Sequence, residues 1–285
     1  MEATALTSSS GRMREFAFTD ADFSALRTLV RSATGINLAD SKRELVYGRI
    51  ARRLRALELD SFKAYRELLD EGDPQELVEF CNAITTNLTS FFRESHHFDY
   101  LRDQVLKPWA EAGPGRRMRI WSAGCSTGEE PYSIAMTIAE GVPRWQSRDI
   151  RVLATDIDSQ VLAHGREGVY TAERVAGMGA RRTAAHFEEA AGEARKAYKV
   201  RGELAAMIAF KQLNLMHELP MPGPIDVIFC RNVVIYFDKE TQRQLFARIA
   251  RLQRPGQILF LGHSESLFKV SDDYTLIGKT IYRRN

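Results

Sequence analysis

Between Ile120 and Met136 the sequence reads IWSAGCSTGEEPYSIAM: a short apolar run, a loop bounded by Gly124 and Gly128, then a helical rhythm opening on Glu129 and Glu130. Strand–loop–helix corners of this kind commonly hold an anion, because loop amides and a helix N-terminus both present positive partial charge. Here two carboxylates stand where the anion would sit. Other residues with useful chemistry follow later apolar runs: Asp156 in ATDID, Asn214 in KQLNL, and Arg231 with Asn232 in IFCRN. In a doubly wound sheet such positions line one crevice beyond the carboxyl ends of the strands, and an acid after the second strand commonly holds ribose hydroxyls.

Three nucleotide classes compete for that crevice. A P-loop needs Lys and Ser/Thr after its last glycine, and GCSTGEE supplies neither. A dinucleotide fold needs G-x-G-x-x-G and a helix end free for pyrophosphate; this loop is G-x-x-x-G, and its acids would repel phosphate. A nucleoside carrying positive charge suits both the glycines and the acids. S-adenosylmethionine is such a ligand, with ribose, adenine, a sulfonium, an ammonium and no phosphate. Blander roles compete for the same residues. One of Glu129 and Glu130 reads as a solvated residue offsetting the helix dipole, and Asp158 as the N-cap of the next helix. His96 and His97, adjacent on a helix, are expected to point about 100° apart, which argues against a shared metal. Phe91 and Phe92 read as core.

The elements that must position these residues are legible in outline. From Arg119, apolar runs of strand length alternate with helical stretches, the pattern of a mostly parallel α/β sheet covered on both faces. The rhythm fails between about residues 165 and 206, a polar stretch read as an insertion with a hairpin. The first ~85 residues read as helices instead. In FTDADFSALRTLVRSATG, Thr19 is the expected N-cap, Phe23, Leu26, Leu29 and Val30 the apolar stripe, and Gly35 the stop. In the next helix Val46, Tyr47, Ile50, Leu54 and Leu57 fall within an arc of about 100°. Lys42, Arg49, Arg52, Arg53 and Arg55 occupy the rest of the circumference. Lys42 to Arg55 holds six basic residues and one acid, a local charge of +5.

The chain as a whole sets few further limits. Its 285 residues suffice for two domains, and 44% hydrophobic with 27% charged residues is an ordinary soluble composition. No run approaches the roughly 18 apolar residues of a transmembrane helix. The first 16 residues lack an apolar h-region and read as a short disordered leader, extending to residue 18. Cys81, Cys125 and Cys230 are far apart with no CxxC pair, which points to a reducing cytoplasm and away from a zinc site. The net charge of +3 does not by itself imply nucleic acid.

Taken together, NAITTNLTSFFRESHHF, WSAGCSTGEEPYSIA, LATDID, FKQLNL, DVIFCRNVVIYFDKETQ and LFLGHSESL resemble the CheR-type chemotaxis receptor methyltransferases, with the motifs in order from about Gly35 to Tyr282. The resemblance implies a small all-α domain (residues 19–86) followed by an S-adenosylmethionine-dependent methyltransferase domain (87–285) with a small β insertion. It implies transfer of methyl to glutamate side chains on the cytoplasmic helices of chemoreceptors, leaving S-adenosylhomocysteine. Carried over by position, it assigns cofactor contacts to Asn87, Thr89 and Arg93, to Glu130 near the methionine end, and to Asp156 at the ribose. Asn214 and Leu215 fall on the adenine side, Arg231 and Asn232 at the fourth strand end, and Tyr236 near the transferring methyl. Arg93 and Tyr236 are thereby the candidate catalytic residues. The basic helix, through Lys42, Arg49, Arg52 and Arg53, is the candidate receptor-docking face.

The chemistry is consistent with this inventory. A glutamate carboxylate is already ionised at neutral pH, with a reference pKa of about 4.3, so no general base and no metal are expected. Catalysis would be alignment. The fourth strand ends in RNVVIYF and lacks the Asn/Asp-Pro-Pro-Tyr turn that resembles amine-methylating enzymes. One departure concerns the insertion: members that dock a receptor tail peptide carry a glycine-rich turn, whereas FEEAAGEARKAYKV has a single glycine. Tail docking is therefore not expected. Two other classes share the fold. A nucleic-acid methyltransferase would welcome the basic helix but lacks an aromatic-interleaved basic strip. A cofactor-sensing module could dispense with Arg93 and Tyr236.

Overall fold

The structure is a computed structural model that describes residues 14–191 and 195–285. The chain divides into two compact units, residues 1–85 and 86–285.

The first unit is helical: α1 (Asp20–Thr34), α2 (Arg43–Ala56), α3 (Phe62–Asp70) and α4 (Pro74–Ile84). Thr19 caps α1 in a reciprocal box with Asp22, and Gly35 ends it in the left-handed conformation, as the residue types predict. Leu26, Val30, Val46, Ile50, Leu54, Phe62, Tyr65 and Phe80 meet in one core. Part of the expected leader is structured. Residues 1–13 lie outside the described residues, but Phe18 is buried in this core, Arg14 pairs with Glu44, and the Phe16 amide donates to the Tyr47 hydroxyl (3.3 Å). Residues 14–18 therefore belong to the helical unit, because Phe18 supplies apolar area that α2 and α3 would otherwise expose.

The second unit opens with α5 (His96–Tyr100) and α6 (Lys107–Glu111), joined by a wider π-type turn. It continues through β1 (Met118–Ala123), α7 (Glu129–Gly141), β2 (Ile150–Asp156), α8 (Ser159–Glu167) and β3 (Val169–Thr171). Then come α9 (Ala172–Ala176), α10 (Ala180–His186), β4 (Phe187–Glu189), β5 (Ala197–Val200), α11 (Gly202–Ala205) and β6 (Ile208–Gln212). The chain closes with β7 (Val227–Cys230), α12 (Lys239–Arg251), β8 (Ile258–Leu261), β9 (Tyr274–Gly278) and β10 (Ile281–Arg284). Seven strands form one sheet in the order β6-β2-β1-β7-β8-β10-β9, parallel except where β10 meets β8 and β9.

Period-two alternation sends successive residues of the central strands to opposite faces. Ile120, Val227, Phe229 and Phe260 enter one core, while Trp121, Ile228, Cys230 and Leu259 enter the other. Because both faces are covered, the runs read as continuously apolar. The chain winds outward from β1 to β2 and β6, then crosses back to β7. That reversal places a topological switch point between β1 and β7, where a crevice opens at the strands' carboxyl ends.

The insertion forms a separate three-stranded antiparallel sheet, β3-β5-β4, rather than a single hairpin. Tyr170, Phe187 and Val200 anchor it to the core, a signal diluted in sequence by the polar residues between them. Residues 192–194, including the glycine on which the tail-docking expectation turns, lie outside the described residues. Among the described residues no helix is long and apolar enough to cross a membrane. All three cysteines are buried, and none forms a disulfide.

Candidate active site

Every candidate residue of the second unit lies at or beside the carboxyl end of a strand of the large sheet, or on the 87–94 segment that reaches those ends. The first loop leaves β1 through Gly124 (φ +80°) and enters α7 through Gly128 (φ +99°). A β-carbon on Gly124 would come 2.3 Å from Val233 Cγ2, and one on Gly128 would come 2.7 Å from the Tyr170 hydroxyl. The two glycines are thus required by the loop's own packing and conformation, not only by close approach of a ligand. Between them Ser126, also left-handed at φ 50°, donates its amide to Asp156 Oδ2 (2.8 Å), which ties the first strand end to the second.

Asp156 is buried at the end of β2. Its Oδ1 accepts the Asp158 amide (3.0 Å), so the carboxylate is oriented by main-chain donors on both oxygens. Burial pushes its pKa up to about 6, against the pull of those amides. Asp158 caps α8 through the Gln160 and Val161 amides, as expected, and its other oxygen accepts from Asn87 Nδ2 (2.7 Å). That bond fastens the 87–94 segment beside the second strand end. Leu213, following β6, donates its amide to the Asp156 carbonyl (2.9 Å), bringing Asn214 alongside. Asn214 Oδ1 accepts the Met216 amide (2.9 Å), while the Leu215 side chain is buried in the core.

The acids that open α7 are both buried, which corrects the expectation that one is a solvated helix-start residue. Glu129 accepts from Thr127 Oγ1 (2.6 Å) and Arg174 Nη1 (2.9 Å), and Arg174 also donates to the Thr89 carbonyl (3.2 Å). Glu130 accepts from Ser122 Oγ (2.7 Å) and Arg231 Nη1 (2.9 Å). Burial pushes the Glu130 carboxyl up, while Arg231 and Ser122 draw it back. A solvated acid would need no such partners; a buried one left unpaired would cost several kcal/mol.

Arg231, 5% exposed, is the hub. Besides Glu130 it reaches the Arg93 carbonyl and lies 3.4 Å from Glu94 Oε2. Two carboxylates against one guanidinium give these three groups a formal charge of −1, with Arg231 and Glu130 buried and Glu94 half-buried. Glu94 also accepts from the His263 amide (3.2 Å) and ring Nδ1 (3.0 Å). Burial works against its charge, but His263 and Arg231 prevail and hold its pKa near 2. Phe92 (φ 52°) and Glu94 (φ 58°) are both left-handed, so Arg93 sits between two strained residues held by Ser133, Arg231 and His263. Arg93 is half-buried and donates Nη1 to the Leu88 carbonyl (2.9 Å).

The imidazoles of His96 and His97 do not diverge. Their ring centroids are 4.1 Å apart, and each Nε2 lies within hydrogen-bond range of the Lys279 carbonyl (3.2 and 3.1 Å). With Glu94 they offer three ligand atoms within 4.8 Å of one another, and Glu94 is also paired with Arg231 and His263.

At the fourth strand end Asn232 is left-handed (φ 59°) and leads into a single 3-10 turn, Val234–Tyr236. Tyr236 is half-buried and lies outside both cores, and its hydroxyl has no hydrogen bond among the described residues. The turn is held by Glu265, which the residue-by-residue reading passed over although LFLGHSESL was in view. The rule that selects Asp156, the first acid past an apolar strand, also selects Glu265 after β8. Arg174, contributed by the insertion, had no such signal.

The four candidate docking residues divide. Lys42 and Arg52 are exposed, with no ion pair among the described residues. Arg49 donates to the carbonyls of Ala83, Ile84 and Thr85 (3.2, 2.6 and 2.7 Å), closing the C-terminal end of α4. Arg53 forks onto the buried Glu76, which also accepts from the Tyr65 hydroxyl (2.6 Å). Two of the four candidate docking residues are therefore committed inside their own unit.

Comparison with known proteins agrees with the geometry. Residues 87–283 match the CheR methyltransferase, SAM binding domain, and residues 21–85 match the CheR methyltransferase, all-alpha domain. The chain is 41% identical over 275 residues to the chemotaxis protein methyltransferase of Salmonella typhimurium, covering 94% of this chain and 92% of that one. It is 43% identical over 270 residues to chemotaxis protein methyltransferase 2 of Pseudomonas aeruginosa (94% and 95% covered). It is 44% identical over 266 residues to the Klebsiella aerogenes chemotaxis protein methyltransferase (92% and 89%). An acid-lined crevice at the switch point, a helical unit before it, and matches that run through both units in order have one consequence: the chain belongs to the CheR methyltransferase family.

Proposed function

We propose that the chain methylates glutamate side chains on the cytoplasmic helices of chemoreceptors, the adaptation step of chemotaxis, and that it acts in the cytoplasm. The observation that supports this reading is that Asp156, the Glu94–Arg231–Glu130 cluster and the Tyr236 turn all lie at or beside the carboxyl ends of the large sheet's strands, with Arg93 joined to the cluster through its carbonyl. The donor set fits S-adenosylmethionine: Asp156 offers oriented acceptors for ribose hydroxyls, and the cluster's charge of −1 favours an ammonium over a phosphate. Asn87, Thr89, Asn214, Leu215 and Asn232 complete the cofactor contacts in this reading, the first two on a segment already tied to Asp158 and Arg174.

When bound, S-adenosylmethionine supplies a methyl on a sulfonium, which leaves as neutral S-adenosylhomocysteine while the carboxylate becomes an ester. No proton moves, so the protein's task is alignment, which can supply roughly 7–11 kcal/mol. Arg93 holds the incoming carboxylate by its remaining N–H groups, and the Tyr236 hydroxyl orients it. Exposed Leu88 and Ile235, on the segments that carry these residues, and Phe268, on the loop after β8, give the acceptor helix an apolar rim. In the helical unit, Lys42 and Arg52 attract the acidic substrate; Arg49 and Arg53 serve the fold instead.

The test is incubation with methyl-labelled S-adenosylmethionine and chemoreceptor membranes. Label released by mild alkali is expected, as for a carboxyl ester. Alkali-stable label would mean amine or nucleic-acid methylation and would overturn the reading.

A further inference from the structure

Glu265 is 5% exposed and accepts five main-chain N–H bonds. Oε1 takes the amides of Val233 (2.9 Å), Val234 (2.9 Å) and Ile235 (3.3 Å); Oε2 takes those of Asn232 (2.8 Å) and Gly262 (2.6 Å). A carboxylate has about four lone-pair sites, so this one is saturated. Each of the five bonds is charge-assisted, roughly twice as strong as a neutral one. Four of the donors are consecutive residues of the loop that leaves β7 and makes the turn Val234–Tyr236. In a lone 3-10 turn the leading amides have no partner of their own, and Glu265 supplies it from the end of β8.

The other end of the turn is held as firmly. Gln242, buried on α12, donates Nε2 to the carbonyls of Val234 (2.8 Å) and Phe237 (3.0 Å). The Tyr236 backbone is thus fixed through its neighbours' amides on one side and their carbonyls on the other, while its hydroxyl stays free of protein partners among the described residues. The two loops also touch directly: a β-carbon on Gly262 would come 2.4 Å from Asn232 Nδ2.

We propose that Glu265 is a positioning residue for methyl transfer, acting through the main chain of Asn232–Ile235 to place the Tyr236 hydroxyl. It rests on the assignment of Tyr236 given above.

The experiment is a double-mutant cycle on the full chain, reading kcat and receptor KM with chemoreceptor membranes and cofactor Kd by calorimetry. Glu265→Gln turns an NH2 group toward amides that need an acceptor. It is expected to lower kcat by about ten- to a hundredfold, since a displacement near 1 Å suffices for such losses. The kcat loss should exceed any change in receptor KM or in cofactor Kd, which the change reaches only through Asn232, and in a Tyr236→Phe background the same change should cost less than about twofold in kcat, because the two act as one unit. Gln242→Ala, which loosens the turn from another element, should show the same dependence on Tyr236 and serves as the test if Glu265→Gln does not fold. A kcat loss that multiplies independently of Tyr236→Phe, a loss confined to Kd or KM, or wild-type turnover in both turn variants would overturn the proposal. If Tyr236→Phe alone keeps wild-type turnover, the assignment of Tyr236 itself has failed.

Discussion

The basic helix α2 and the strand ends of the large sheet both announce themselves in sequence as charge, and the fold treats them differently. At the strand ends, Glu94, Glu130 and Arg231 come from three separated segments and meet in one cluster of formal charge −1. On and just before α2, the four candidate docking residues lie within twelve positions, yet Arg49 and Arg53 are turned inward to α4 while Lys42 and Arg52 remain outside. Helical spacing places a cation on a circumference without saying whether a neighbouring helix offers it a carbonyl or a buried acid. Sheet topology is more restrictive. Every parallel strand must end on the same edge, so residues at strand ends converge whatever their sequence separation.

The sharpest way to break this contrast is at Arg53. Arg53→Ala leaves Glu76 buried against Tyr65 without its cation, and is expected to cost the helical unit about 2–4 kcal/mol, somewhat less than the roughly 3–5 kcal/mol of a fully buried pair because Arg53 is partly exposed. Arg52→Ala, one position away, should cost less than about 0.5 kcal/mol. Urea unfolding of the two variants reads the difference directly; equal stabilities would place Arg53 on the solvated face after all.

Next in size is the second strand end. Asp156→Ala should weaken S-adenosylmethionine binding by ~1.5–3 kcal/mol, about 10–150-fold. The pH dependence sharpens it. Burial raises Asp156 to about 6, so the accepting carboxylate is present above that pH and is lost as pH falls through it. Affinity should hold from pH 8 to 6.5, then fall by up to about tenfold per unit. Asp156→Asn should flatten the acid limb. Calorimetry across that range checks both, and an unchanged limb in Asp156→Asn would assign it to another group.

The smallest effect is expected at the docking face. Replacing Lys42 and Arg52 together by Ala should raise the receptor KM by about two- to fivefold at low salt and leave cofactor affinity unchanged. The difference should vanish toward 1 M salt, where the Debye length is about 3 Å. Wild-type methylation at every salt concentration would reduce these residues to a solvated face.

Much was fixed by local chemistry alone. The period-two and period-3.6 patterns, Thr19 and Gly35 at the ends of α1, and the acids past the apolar runs are decided within a few residues, so they can be read from a few residues. The same locality makes the parallel sheet, the acids at its strand ends and the class of ligand legible in the sequence. Tertiary structure decided what depends on partners distant in the chain. Glu129 is buried because Arg174 of the insertion reaches it, and Arg53 is occupied because α4 brings Glu76. Residues 14–18 are ordered because α2 and α3 leave room for Phe18. Glu265 became visible as a support for the Tyr236 turn only when β7 and β8 lay side by side. Sequence specifies the charge and shape of each group; whether a group faces solvent, ligand or another residue is set by packing between segments whose separation in the chain carries no record of their contact.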